Sequence, residues 1–525
     1  MIATDIVQRL HASHTEINQI REISGNAGMS IGVMHGGFVI HQAHLGYQDV
    51  AQRVPPNSKT VYEIASLTKA IISLCLSLLV ESGDLDWDTS LRELLPDYVP
   101  RNKISKLPHD EVNLVDVLAH RHGLTQRNMY RMQGHATVLM DVEETLNVFS
   151  DLEPIKEFRS TMTYNNWGYG VAGSILENIS GMSVGEFALK NIFDPLGMSR
   201  TTLSDPCDNN CARTYVSLTN GTPFEVPRPP FSDGKLLAST SAYKSTLDDL
   251  MTLYGFMMKS SWEQQHETPV TLNSTMPNMA GLWKSHIAID ENSGYGLGWV
   301  VTNLPVSCGL IGINLNMVDV MPTVAKGISP THLIYHQGSG VGALSAVYLL
   351  PESQSVVVVL SNSLDLCDSS DWVAQMLLEF LVNSPEHNDY VHWAKVASNN
   401  SINQMPQMHE RLRTEQILGT KPKPLQKYVG RYWNKLHNFR LDVSIHECRL
   451  RVTVQGFEQV HYDLDHYHYD CFMAFFAMAV IGFHKFNFNA NDVDVIESVN
   501  WAYDKNVPGG EVFHRSEKVL TSPKL

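Results

Sequence analysis

The sequence predicts an α+β fold: an antiparallel sheet flanked by helices and interrupted by a helical insertion, followed by a small all-β C-terminal domain. Three observations carry this. Strand patterns stand at both ends of residues 1–385, with helical periodicity between them from about 88 to 260. A polar, Pro-punctuated stretch follows and reads as a linker over 386–423. From 424 to 525, short alternating segments recur between turn residues, as in a small antiparallel barrel or sandwich.

The elements follow in chain order. Met29–Met34 and Gly37–Ala43 alternate as two strands joined at His35-Gly36-Gly37, a hairpin. Leu67, Ala70, Ile71, Leu74, Leu78 and Leu79 recur at helical spacing, and Gly83 supplies a stop. Val112–Leu118 and Gly168–Ile179 are helical by period, the latter ended by Gly181. Sheet patterning returns at Tyr295–Val301, Leu333–His336, Ala343–Leu350 and Ser355–Ser361. The unbroken run Val356–Leu360 marks a central strand buried on both faces. Asp371–Leu381 reads as a helix returning onto the sheet, and some helix is expected around His409–Ile417. Seven short strands are expected in the last domain: Tyr428–Trp433, Phe439–Ile445, Arg449–Val454, His461–Asp465, His484–Phe488, Val495–Trp501 and Val512–Arg515.

Composition narrows the function. A chain of 525 residues with 43% hydrophobic content can bury a large core. Its net charge of −16 argues against nucleic-acid binding, which needs basic surface, and weakly against an anionic membrane. No apolar run is long enough to span a bilayer. The most apolar stretch, Cys471–Ile481, reads as buried strand or helix. The N-terminus lacks a basic segment followed by an apolar one, so no secretion signal is expected. Seven scattered cysteines form no disulfide framework, and Cys207 and Cys211 lack the second pair that a zinc site needs. A cytoplasmic protein without cofactor or metal is the expectation.

Chemistry concentrates at Ser66-Leu67-Thr68-Lys69. A Ser and a Lys three residues apart share one helix face, so the nucleophile has a base within reach. A helix N-terminus there favours negative charge beside Ser66 and disfavours the charged form of Lys69. The same four-residue spacing recurs at Ser232–Lys235, in a Pro- and Gly-rich loop, and at Ser241–Lys244, just before a helix cap; only Ser66 opens a long helix. Two further motifs follow in order: Tyr164-Asn165-Asn166 before a helix, and His336-Gln337-Gly338 at a strand end.

The ordered set at 66, 164 and 336 resembles the serine β-lactamase and penicillin-binding-protein superfamily, in its class C-like branch of esterases, D-amino-acid peptidases and acyltransferases. Val61–Lys69 is similar to that branch's nucleophile segment, and Val117–Leu124 to its L-L-x-H-x-x-G-L segment. Phe193–Met198 is similar to its P-L-G-M turn and Tyr295–Trp299 to its Y-G-x-G-W strand. Tyr428-Val429-Gly430-Arg431-Tyr432 resembles the start of a lipocalin-like barrel often appended to these enzymes. The resemblance implies Ser66 as nucleophile, Lys69 as its base and Tyr164 as proton shuttle. It implies that Asn166 bonds the acyl side chain or Lys69. The N–H groups of Ser66 and Ser339 would form an oxyanion hole, and Gly338 would let substrate approach the strand. Trp299 reads equally as pocket wall or core.

One position departs from the family. Its β-lactamases carry K-T-G where His336-Gln337-Gly338 stands, and a His gives a weaker permanent anion site than a Lys. Esterase or amidase chemistry on a small molecule or short peptide is therefore favoured over β-lactam hydrolysis. An acyltransferase of natural-product biosynthesis and a catalytically silent scaffold are the alternatives, and homo-oligomerisation is open. His461, His466 and His468 lack a third ligand at convincing spacing and read as barrel residues.

Overall fold

A computed structural model describes residues 4–99, 108, 110–205, 209–266, 277–476, 482–504, 506–507 and 509–516. Cys207, Met478 and the end of the apolar run at 477–481 lie outside the described residues. The main sheet has eight antiparallel strands: β1 (Gly28–His35), β2 (Phe38–Gly46), β3 (Ile287–Ala288), β4 (Gly294–Tyr295), β5 (Val300–Leu304), β6 (Thr331–Gly340), β7 (Ala343–Leu350) and β8 (Ser355–Ser361). Their order is β2-β1-β8-β7-β6-β5-β4-β3. The hairpin from the start of the chain thus pairs with a strand more than three hundred residues later, Met29 opposite Ser361 and Met34 opposite Val356.

The unbroken valine run explains why β8 is central. Val356, Val358 and Leu360 point into one core, with the insertion helices. Val357 and Val359 point into the other, with the terminal helices. Every residue of β8 is buried, as a strand covered on both faces must be. The helices that matter below are α1 (His14–Ser24), α2 (Thr68–Glu81), α3 (Leu114–Leu118), α4 (Asn166–Ser180), α5 (Leu247–Gln265), α6 (Ser369–Leu381) and α7 (Tyr390–Glu415). Helices α2–α5 cover one face with the insertion; α1, α6 and α7 cover the other.

The segment expected to be a linker is instead dominated by α7, 26 residues long with Pro406 inside it. Tyr390, Ala394 and Ala397 are buried in the core beside α6. At its far end Leu412 and Met408 pack on Tyr467 and Cys471 of the second domain. The helix is a strut sunk into both domains.

The C-terminal domain is a closed barrel of eight strands, one more than the seven expected. The addition is Cys471–Phe476, the described part of the apolar run. Phe472 and Phe476 fill the barrel, whereas Phe475 faces outward against Phe483, ring centroids 5.2 Å apart. The histidine-rich strand His461–His468 is a barrel strand with a bulge between His466 and His468.

Candidate active site

Ser66 lies on a 3-10 turn, Ala65–Leu67, that leads directly into α2. From Val61 to Ser77 it is the one residue not buried. The preceding Ala65 sits at φ 46°, a left-handed conformation that a side chain tolerates poorly. The turn is held from the sheet side: Ser345 Oγ on β7 donates to Ile64 O at 2.9 Å. Gly338, opposite Ser345 on β6, has no room for a side chain, since a Cβ there would stand 2.7 Å from Ile64 O and 3.0 Å from Ser66 N. The H-x-G glycine is therefore required by close approach of strand and nucleophile turn. Gly298, at φ 85°, similarly lets the Tyr295–Trp299 segment reach the Lys69 carbonyl.

Lys69 is fully buried on the first turn of α2. Its Nζ contacts three oxygens: Asn166 Oδ1 at 2.9 Å, Thr240 O at 3.0 Å and Ser66 Oγ at 3.1 Å. Burial, reinforced by the nearby Arg131 charge, holds its ammonium well below the ordinary lysine range. A neutral amine has two N–H donors and one lone pair. In that neutral form, with the Asn166 Oδ1 and the Thr240 carbonyl accepting its two N–H donors, the lone pair would be left for the Ser66 hydroxyl. On the other side the Tyr164 OH donates to Ser66 Oγ at 3.0 Å. Burial pushes the Tyr164 phenol upward, which keeps it protonated.

Local sequence explains why Tyr164 and Asn166 flank one helix start. Asn165 between them caps α4, its Oδ1 accepting from Trp167 N at 2.8 Å, and its Nδ2 donates to Thr125 O at 2.7 Å. Its N–H donates to His120 Nδ1 at 3.1 Å. The His120 ring lies 4.3 Å from that of Tyr164, so the H-x-x-G-L segment after α3 backs the tyrosine directly.

The remaining expected residues divide. Ser339 lines a cavity of about 350 Å³ together with Ser66, Asn166, Asn128, Arg131 and Phe231. His336 does not line it. It is 1% exposed, its Nε2 is 3.0 Å from Tyr295 OH and its Nδ1 is 2.6 Å from Gln337 O. Burial, with Lys69 nearby, lowers it to about 3, so it is neutral. The expectation of a substrate contact at His336 is corrected to a buried brace. Trp299 is core: fully buried, with its ring edge-on to Tyr254 at 6.0 Å. The competing Lys244 is buried elsewhere, donating to Phe231 O at 2.9 Å.

Three participants were not foreseen. Thr240 contributes a backbone carbonyl, which leaves no sequence signature. Ala65 contributes backbone conformation. Arg131 reaches the cavity from a loop without periodicity, and its Nη2 donates to Thr240 Oγ1 at 3.1 Å.

A family profile described as Beta-lactamase matches residues 16–378, and a second, described as a domain of unknown function (DUF3471), matches 418–512. The human serine beta-lactamase-like protein LACTB, mitochondrial, is 22% identical over 423 residues, covering 65% of this chain and 72% of its own. Penicillin-binding protein 4* of Bacillus subtilis is 26% identical over 292 residues, covering 51% of this chain and 58% of its own. Two solved structures share the fold. The octameric penicillin-binding protein homologue from Pyrococcus abyssi has a TM-score of 0.53 at 19% identity, over 98% of this chain and all of that one. The class C beta lactamase from Rhodobacter sphaeroides has a TM-score of 0.52 at 20% identity, over 75% of this chain and 98% of that one. With about two thirds of its length matched by that first profile, the chain belongs to the Beta-lactamase family, whose chemistry runs through a serine acyl-enzyme.

Proposed function

We propose that this chain is a hydrolase acting on an ester or amide of a small molecule or short peptide through an acyl-enzyme on Ser66. The observation that carries the reading is the hydrogen-bonded trio of Ser66, Lys69 and Tyr164. Ser66 Oγ attacks the substrate carbonyl carbon and its proton passes to the lone pair of Lys69. Charge on the carbonyl oxygen is met by the N–H groups of Ser66 and Ser339. The proton travels through Tyr164 to the departing oxygen or nitrogen as the old bond breaks. Water then attacks the acyl carbon by the reverse route and frees Ser66.

Transfer of the acyl group to an alcohol or amine uses the same first half and is the second reading. A silent scaffold has no chemical need for a buried lysine held 3.1 Å from a serine hydroxyl that a tyrosine also meets. A fluorophosphonate is expected to add its mass to Ser66, and Ser66→Ala to stay folded while turnover of p-nitrophenyl esters falls by about three orders of magnitude or more. An unmodified Ser66 with full turnover would refute the mechanism. Hydrolysis as the main outcome with every acceptor offered would remove the transferase reading. The octameric state is that of the archaeal neighbour; assembly of this chain is a matter for light scattering.

A further inference from the structure

Resting on the hydrolase reading, we infer that Arg131 is the specificity-determining residue of the cavity and takes a carboxylate of the substrate. Three observations lead there. First, Arg131 lines the same cavity as Ser66. Second, its guanidinium has no carboxylate partner among the described residues. Its side-chain hydrogen bonds go to the neutral oxygens Asn128 Oδ1 at 3.3 Å and Thr240 Oγ1 at 3.1 Å. A guanidinium has five N–H donors in a planar fork, so donors remain for a ligand.

Its neighbours behave otherwise. Arg127, on the same loop, is paired to Asp151 at 3.0 Å and to Glu511 at 3.7 Å. Arg121 and Arg159 share Asp116 at 2.5 and 2.8 Å. Glu63, the one carboxylate among the described lining residues, faces Arg228 at 3.7 Å. In a chain with a net charge of −16, a largely buried arginine left uncompensated beside the nucleophile is an exception. Taking a charge out of water costs free energy that a partner charge offsets. A bound carboxylate supplies that partner in bidentate geometry.

Third, the alternative anion site on β6 is closed. His336 is neutral, buried, and engaged at both ring nitrogens. An acidic substrate therefore finds its positive charge on the 128–132 loop wall.

The test compares p-nitrophenyl hemiglutarate, whose acyl chain ends in a carboxylate, with the neutral p-nitrophenyl pentanoate. The wild-type protein is expected to prefer the hemiglutarate in kcat/KM. In Arg131→Gln the ratio of the two is expected to fall by about tenfold or more, mainly through KM on the anionic ester, because a charge-assisted pair is lost. Arg131→Lys keeps the charge, loses the fork and should fall between. Because Arg131 also depresses Lys69, both rates can move; the ratio isolates recognition. An unchanged ratio overturns the inference and leaves Arg131 as a tuner of Lys69. A second measurement needs no chemistry: calorimetric binding of free glutarate to Ser66→Ala, expected to vanish in Ser66→Ala/Arg131→Gln. Glutarate binding that depends on Arg131 without turnover of either ester would sink the hydrolase reading and keep the anion site. Equal binding in both proteins, or none in either, overturns the anion site.

Discussion

At the scale of single residues the site is an arrangement of proton positions. Burial, with Arg131 nearby, disfavours the charged form of Lys69, and with Asn166 and Thr240 accepting from its Nζ the remaining contact of that nitrogen is Ser66. Tyr164 is held protonated and donates to the same oxygen. This gives the two groups separable tasks. Removing the Tyr164 hydroxyl should matter when the leaving group needs a proton and matter little when it does not. For Tyr164→Phe, kcat on an alkyl ester or anilide is expected to drop by about a hundredfold or more, the usual worth of a general acid. The acylation burst with a p-nitrophenyl ester, which leaves as a stable phenolate, should slow far less, because only the later deacylation runs back through Tyr164. Equal losses on both leaving groups would show that Tyr164 orients Ser66 and carries no proton. The motif residues Ser66, Lys69, Tyr164 and Asn166 were legible because they are side chains with fixed spacing on recognisable helix starts. Thr240 and Arg131 were not, since only the tertiary fold brings them to the lysine, and nothing local distinguishes Arg131 from its paired neighbour Arg127.

At the scale of elements, what was legible follows how much of an element's burial is written in its own period. The hairpin, α2, α4 and β8 carry their apolar pattern within their own sequence and were read directly. Helix α7 buries only Tyr390, Ala394, Ala397, Ser398 and, far along, Leu412, under a polar exterior interrupted by Pro406, so its signal was that of a linker. The Cys471–Phe476 strand is apolar on successive residues, which does not separate strand from helix. Where α1 and α6 meet, Asp365 ties the two helices. Asn26 Nδ2, just past α1, donates to its Oδ2 at 2.9 Å, and Ser369 Oγ, opening α6, donates to the same atom. Burial pushes Asp365 up to about 7. A raised acid binds its proton more tightly in the native state than in the unfolded one. Its contribution is therefore fully present below the unfolded value near 4 and is lost as pH rises through about 7. A shift of about three units corresponds to about 4 kcal/mol at most. Asp365→Asn removes this dependence. Its melting temperature relative to wild type is expected to rise between about pH 5 and pH 8, measured by calorimetry. A constant difference across that range would place the proton elsewhere.

At the scale of the whole molecule, the barrel grips the wall of the cavity. The Tyr130 ring stacks on Phe439 at 3.9 Å with the planes 5° apart, and its hydroxyl donates to Glu511. Arg127 bridges Asp151 and Glu511, Lys435 meets Asp151 at 2.7 Å, and Gln455 Nε2 donates to Leu139 O at 3.3 Å. Tyr130 stands between Asn128 and Arg131, both of which line the cavity. None of these barrel residues touches Ser66, Lys69 or Tyr164, so the barrel should govern what binds rather than whether the serine reacts. A cut to test this cannot fall at the expected linker, because removing α7 would expose Tyr390, Ala394 and Ala397 from the catalytic core. It belongs after Glu415, where the helix ends. A chain ending there loses the stacking partner of Tyr130 and the carboxylate of Glu511, and its 128–132 loop gains freedom. Ser66 is expected to react with a fluorophosphonate at a rate within about threefold of the full chain, since neither the nucleophile nor its base has moved. KM for p-nitrophenyl hemiglutarate should rise while the neutral ester is less affected, and the melting temperature should fall. If the shortened protein keeps a native circular dichroism spectrum yet does not label at Ser66, the barrel does more than hold the wall, and the separation between binding and chemistry drawn from these contacts fails.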